Sequence, residues 1–211
     1  MYLKLTHRRY YGDRAEARPD AAIALLDDEY ESPTFKRVSA HLARGAGHSV
    51  LDLGIVNGET VNTLGATGAR VFVHDLVTPL CGQLAAGKID VDALLEGLDF
   101  LPESVDVIFA WEIFALLPPE SAQKLLSRMS GWLRPRGLVM GVFQTEASNQ
   151  SRRFRLQADG VVKIEEVLGL PDSLEPVTNN DVMVLFSNFT LVHSALVRTR
   201  LREVLVQRRD G

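Results

Sequence analysis

The segment Ser49-Val-Leu-Asp-Leu-Gly-Ile-Val-Asn-Gly58 runs from a short apolar stretch into a turn bearing two glycines. An apolar run this short, unbroken by polar alternation, reads as a strand buried on both faces, as in a parallel sheet. The glycines allow the backbone after the strand to bend sharply and to approach a ligand closely. A helix is expected from about Glu59 to Leu64, broken by Gly65 and Gly68, and its first N–H groups have no intrahelical acceptor. The next β-branched run, Arg70-Val-Phe-Val-His-Asp75, closes on an acid 17 residues after Gly58. A carboxylate at the end of such a strand is placed to accept hydrogen bonds from two neighbouring hydroxyls.

The pattern continues outward in both directions. Helical stretches are expected near Pro79–Ala86 and Val91–Leu98, then a buried strand Val105–Trp111 and a helix Pro118–Leu133. That helix is opened by proline and by Glu120 in its first turn. A turn over Arg134–Gly137 leads into a strand Leu138–Phe143. On the N-terminal side, Pro19 opens a helical run through AAIALLDDEY. Ser32-Pro33 then reads as N-cap and first helical residue of a helix ending at Gly45, with Phe35, Val38 and Leu42 on its buried face. Residues 144–160 are polar and are expected to contain a loop, Val161–Leu170 read as strand or helix, and Asn179–Phe186 as a short helix. The final stretch reads as an antiparallel hairpin joined near Arg198–Arg200. Strand–helix alternation implies a doubly wound, Rossmann-like, mostly parallel α/β sheet. The sheet is expected to have seven strands and to end in the hairpin. One domain is expected over 1–211, with 1–45 as an N-terminal helical or lid segment.

Composition sets bounds. The 211 residues are 46% hydrophobic and 24% charged with net charge −4, ordinary for a globular chain and without the global charge that draws a protein to nucleic acid or an anionic membrane. The 18 arginines against 5 lysines read as a solvated surface, or else as a local anionic docking site. The single Cys81 excludes an intramolecular disulfide and a multi-cysteine zinc site. No apolar run reaches the ~20 residues of a membrane span, and the first residues lack a signal-peptide core. A cytoplasmic location is expected. No dinucleotide loop, phosphate-binding loop, nucleophile elbow or metal-ligand spacing is found.

The ordered set SVLDLG, glycine turn, VFVHD, VDVIFAWEIFALLPPE and WLRPRGLVMGVF resembles the class I S-adenosylmethionine-dependent methyltransferases of the type 11 and 12 kind, from Ser49 to Phe143, and the terminal hairpin is similar to that family's ending. The resemblance implies an S-adenosylmethionine cofactor and a small-molecule methyl acceptor. It implies that Asp52, Gly54 and Gly58 form the loop around the cofactor's amino-acid portion and that Asp75 binds ribose. Asp99 and Phe100 would lie beside adenine, and Trp111 and Glu112 beside the sulfonium and the acceptor. Each has a plainer reading: Asp52 as a loop cap, Asp75 as a turn acid, Phe100 and Trp111 as core, Glu112 as a helix cap. The family's first loop commonly reads D/E-x-G-x-G-x-G, and Val56 stands where its middle glycine belongs. A branched residue there is costly if φ must be positive. A methyltransferase-fold protein without catalysis, serving a protein partner, is the alternative that Val56 raises. His74, His193, Glu112, Tyr10 and Tyr11 are the available bases, and none is singled out.

Overall fold

The computed structural model describes residues 29–45, 47–146, 152–166, 176–197 and 200–210. Tyr10, Tyr11 and the helix expected from Pro19 as far as residue 28 lie outside them. In chain order the elements are β1 (Glu29–Glu31), α1 (Pro33–Leu42), β2 (Ser49–Asp52), α2 (Gly58–Gly65), β3 (Arg70–Val73), α3 (Val77–Ala85), α4 (Val91–Leu94), β4 (Val105–Trp111), α5 (Ile113–Leu116), α6 (Pro119–Trp132), β5 (Leu133–Gln144), β6 (Arg152–Leu156), β7 (Val161–Glu166), α7 (Asn179–Leu185), β8 (Phe189–Leu196) and β9 (Leu201–Arg208).

The central sheet has the order β3-β2-β4-β5-β9-β8. The pairs β2–β3, β2–β4 and β4–β5 are parallel, and β9 returns antiparallel to both β5 and β8. The alternating strands and the terminal hairpin are those expected. The strand number is not: among the described residues the central sheet has six strands, not seven. Leu98-Asp99-Phe100 sits between Gly97, at φ 82°, and the Pro102–Glu103 turn, where Glu103 has φ 56°. Too few extended residues remain there for a ladder, and Leu101 is 75% exposed. β3 is therefore an edge strand of this sheet.

Every residue of β4 is buried, which matches its position inside the sheet. One apolar cluster fills the face under α3 to α7, around Leu51, Ile108, Val139, Leu125 and Met129. The other fills the face under α1 and α2, around Val50, Val107, Phe109, Val38 and Leu64. Ser32 caps α1 as read from sequence, its side chain accepting from the Phe35 N–H with Pro33 in the first turn. At the amino ends of the strands Asp106 accepts from the Ser49 N–H at 2.7 Å and pairs with Arg134 at 2.9 Å and His48 at 3.2 Å.

A second, three-stranded antiparallel sheet of order β1-β7-β6 corrects one expectation and adds a strand to another stretch. Glu29–Glu31 is a strand, not the end of a helix, because it pairs with Val161–Lys163. Within the polar stretch, residues 152–156 form a strand: Arg152, Phe154 and Leu156 face inward, while Arg153 and Arg155 face outward toward Glu165. This sheet adds Tyr30, Phe154, Leu156 and Val162 to the α1/α2 face of the core. Thr60 Oγ1 accepts from the Leu156 N–H at 3.0 Å, and Thr63 Oγ1 donates to the Leu156 carbonyl at 3.2 Å, so β6 is fastened to α2.

Glu203 of β9 joins the two sheets. Its fully buried carboxylate accepts from Tyr30 Oη at 3.0 Å, Ser32 Oγ at 2.6 Å and the Thr34 N–H at 3.1 Å. Burial first, and the Glu203 charge second, push the Tyr30 phenol well above its usual pKa. Glu203→Ala strands three buried donors at once and is expected to lower stability by about 2–4 kcal/mol. A urea-denaturation series on the two chains measures it.

Candidate active site

The strand order reverses at β2. The chain leaves β2 for β3 on one side and returns on the other side at β4. In open α/β sheets a ligand crevice opens beyond the carboxyl ends of the strands at such a point. Asp52 to Gly54, His74 and Asp75, and Trp111 and Glu112 follow those ends.

Asp52 is buried. Its Oδ1 accepts from the Gly54 N–H at 3.1 Å and from the indole Nε1 of Trp111 at 2.7 Å. Burial pushes its pKa up, the two hydrogen bonds pull it back, and the Asp75 charge adds to the rise. Gly54 is required by contact: a Cβ there would lie 2.5 Å from Trp111 Cδ1 and 2.8 Å from Nε1. At Gly58, the first residue of α2, a Cβ would meet nothing within 4 Å. Asn57 caps α2, its side chain accepting from the Glu59 N–H at 2.9 Å and the Thr60 N–H at 3.2 Å. Val56 does not adopt a positive φ and is 57% exposed, so its branched side chain neither strains the turn nor fills the core.

Asp75 is half-buried. Its Oδ1 accepts from the Thr78 N–H at 2.9 Å and its Oδ2 from Thr78 Oγ1 at 2.6 Å. Each oxygen keeps capacity for a further donor. Asp99 is exposed. Phe100 is half-buried, edge-to-face with Phe72 at 5.3 Å and against Trp132 at 5.6 Å. Cys81 lies on α3, where burial, with the Asp75 charge, pushes its thiol up to about 11, which leaves it inert as a nucleophile.

Trp111 is buried at φ 46°, a conformation that bulky residues avoid. Surrounding contacts hold it: the bond to Asp52, Phe109 at 5.5 Å, and a near-parallel stack on Phe154 at 5.5 Å and 4°. The β4–β5 register shifts between Phe109 and Trp111, which turns the strand end out of the ladder. Glu112 is buried beside Gln144, whose Nε2 donates to Glu112 Oε1 at 3.4 Å. Burial raises its carboxyl to about 7 against the pull of Arg152 and Gln144. Its side chain makes no capping bond to α5. The His74 N–H donates to the Asp52 carbonyl at 2.9 Å. His193 lies far across the sheet on edge strand β8, and burial, then Arg37, lower its pKa.

The structure thus brings Asp52, Gly54, Asp75, Trp111 and Glu112 to one end of the sheet. Gly58 lies at the head of α2, and Asp99 and Phe100 lie toward the β3 edge. Four residues at the site were not singled out from sequence: Thr78, Gln144, Arg152 and Phe154. The period-2 pattern of Arg152-Arg-Phe-Arg-Leu156 was the available signal for the last two.

The family described as a methyltransferase domain matches residues 51–141. The chain has the class I methyltransferase fold. No curated protein matches its sequence. Among solved structures it is similar to 1,6-didemethyltoxoflavin-N1-methyltransferase of Burkholderia thailandensis, solved with 1,6-didemethyltoxoflavin and S-adenosylhomocysteine bound. Identity there is 20%, coverage 84% of this chain and 79% of that one, and the TM-score 0.52. A SAM-dependent methyltransferase of Methanosarcina mazei matches at 12% identity, 82% and 97% coverage and TM-score 0.52. An S-adenosylmethionine-dependent methyltransferase of Mesorhizobium loti matches at 15% identity, 84% and 98% coverage and TM-score 0.51. Among the described residues of this methyltransferase-fold chain no helix is long and apolar enough to cross a membrane, and no cluster of three or more His, Cys, Asp or Glu side chains is placed to hold a metal.

Because the folded-state carboxyl of Glu112 is raised from 4.5 to about 7, the folded state binds the extra proton between those values. Stability contributed at this position is present at low pH and is lost as pH rises through about 7. Glu112→Gln removes that dependence. The difference in unfolding free energy, wild type minus variant, is expected to fall by about 3 kcal/mol between pH 4.5 and 8 in denaturant titrations.

Proposed function

We propose that the chain is an S-adenosylmethionine-dependent methyltransferase acting on a small-molecule acceptor. The observation that carries this is the convergence of Asp52, Gly54, Asp75 and Glu112 at the point of strand reversal. The donor set fits such a cofactor. Asp75 keeps lone pairs for ribose hydroxyls on top of its Thr78 bonds, and Gly54 has no side chain of its own, the ground beside it being taken by the Trp111 indole. Gly54 and the turn to Gly58 would hold the amino-acid portion, with Asp52 fixing the turn from beneath. Asp75 would hold the ribose. Asp99 and Phe100 would flank the adenine. When bound, S-adenosylmethionine supplies an electrophilic methyl group on a sulfonium.

The chain's own contribution is alignment, since methyl transfer needs nucleophile, methyl and sulfur in line more than it needs acid–base groups. Glu112 is buried beside the strand end with a carboxyl near 7, so it holds a proton in roughly half the molecules at neutral pH. That makes it the group suited to take a proton from an acceptor that must lose one. The acceptor class is supported by the Burkholderia thailandensis structure, which carries a small heterocycle. A net charge of −4 gives no general attraction for nucleic acid. A cytoplasmic location is part of this reading. A second reading, a catalytically inactive protein serving a protein partner, is favoured by one observation: the Trp111 indole lies against Gly54.

Calorimetric titration with S-adenosylhomocysteine tests the cofactor. Saturable heat is expected, with Asp75→Ala weakening binding at least ~10-fold, about 1.4 kcal/mol. Val56→Gly is expected to change affinity less than about threefold, roughly 0.6 kcal/mol, because Val56 is exposed and unstrained. Absence of heat at millimolar ligand in the wild-type chain and in every variant opened at Trp111 or Phe154 overturns the enzymatic reading.

A further inference from the structure

We propose that Trp111 is a displaceable plug: its indole occupies the ground over Gly54 that the cofactor needs, and cofactor binding requires that it swing away. This rests on the reading of the crevice as an S-adenosylmethionine site.

Three observations carry it. The first is occupancy. The place where a Cβ of residue 54 would stand is 2.5 Å from one indole atom and 2.8 Å from another. The indole therefore covers the side of Gly54 on which a side chain would stand, and no ligand atom occupies that side while the indole stays. The second is strain. Trp111 has φ 46°, and a bulky residue held there costs of order 1–3 kcal/mol. That cost is offset by contacts the side chain makes only in this position. The third is the small number of polar contacts that hold the indole. Its one polar donor goes to Asp52 Oδ1, while its ring stacks on Phe154 and lies tilted against Phe109. Releasing it breaks one hydrogen bond and draws a buried ring away from Phe154 and Phe109.

Nothing else need move at Asp52. On release of the indole its carboxylate keeps the Gly54 N–H, so the turn survives opening. Phe154 sits on β6 of the second sheet, which is tied to α2 through Leu156, so the stacking partner is fixed from outside the crevice. Thus β6 sets how firmly the plug is held. The closed form is a resting state that hides the cofactor ground from water.

The test uses the full chain labelled with 5-fluorotryptophan, which carries two indoles, Trp111 and Trp132. A Trp111→Phe sample assigns the resonances. On titration with S-adenosylhomocysteine the Trp111 fluorine resonance is expected to shift in step with the calorimetric isotherm. Trp111→Ala is expected to bind at least ~10-fold more tightly than wild type, as is Phe154→Leu in the same direction to a smaller degree. Phe154→Leu leaves Gly54 and Asp52 untouched and keeps the test open if Trp111→Ala fails to fold. Wild-type binding with an unmoved Trp111 resonance and unchanged affinity in the variants overturns the plug and leaves the cofactor reading standing. Weaker binding in the variants makes the indole a cofactor contact and also overturns it. No binding by any of these chains overturns both.

Discussion

One indole governs the carboxyl end of this sheet. Trp111 lies over Gly54, bonds to Asp52 and stacks on Phe154, so it ties the first central strand, the fourth strand and the small second sheet to one another. Its left-handed backbone is the means. A residue in ordinary extended geometry would continue β4. The turn at Trp111, with the register shift beside it, brings the side chain back over the neighbouring loop instead. Gly54 follows from this. Any Cβ there would collide with the ring, so the glycine is fixed by packing whether or not a ligand ever rests on it.

The second sheet is the other half of that arrangement. β6 presents Arg152, Phe154 and Leu156 inward in strict alternation. Phe154 meets Trp111, Leu156 engages Thr60 and Thr63, and the Arg152 charge opposes the burial-driven rise of Glu112. A stretch that is polar by composition therefore contributes two inward side chains to the site and, at Leu156, the backbone that ties it to α2. Its outward arginines pair with Glu165 and Glu59. The arginine richness of this segment is thus structural on one face and part of the site's electrostatics on the other.

Much of the central sheet was legible because its strands are continuous apolar runs bounded by glycine, proline and acids. VDVIFAW and LVMGVF lie on strands, SVLDL and RVFVHD lie on strands except for Leu53, His74 and Asp75 just past the strand ends, and the hairpin pairs as its brevity required. The turn expected at Arg134–Gly137 instead belongs to the irregular start of β5, with Arg136 at φ 62°. The six-strand extent of the central sheet, the strand nature of Glu29–Glu31 and the β6 strand were not legible. Those depend on pairing between distant segments, and Glu29–Glu31 is too short to show a period. At the site, sequence gave the positions Asp52, Gly54 and Asp75 at strand ends. It could not give side-chain direction: that Val56 faces out, that Thr78 holds Asp75, or that the indole turns back onto Gly54. Rotamers and one positive φ decide these, and neither leaves a mark in composition.

Glu203 has a consequence of another kind. The donors it satisfies lie on residues 30 to 34, and it stands on β9, the strand threaded between β5 and β8. A chain emerging from the ribosome therefore makes Tyr30, Ser32 and the first turn of α1 more than 160 residues before their acceptor exists. Until β9 is synthesised and inserted, β1 and the start of α1 lack this anchor and β5 has an open flank. Closure of this domain is a late event in synthesis, and holding that flank in check is work for whatever accompanies the nascent chain.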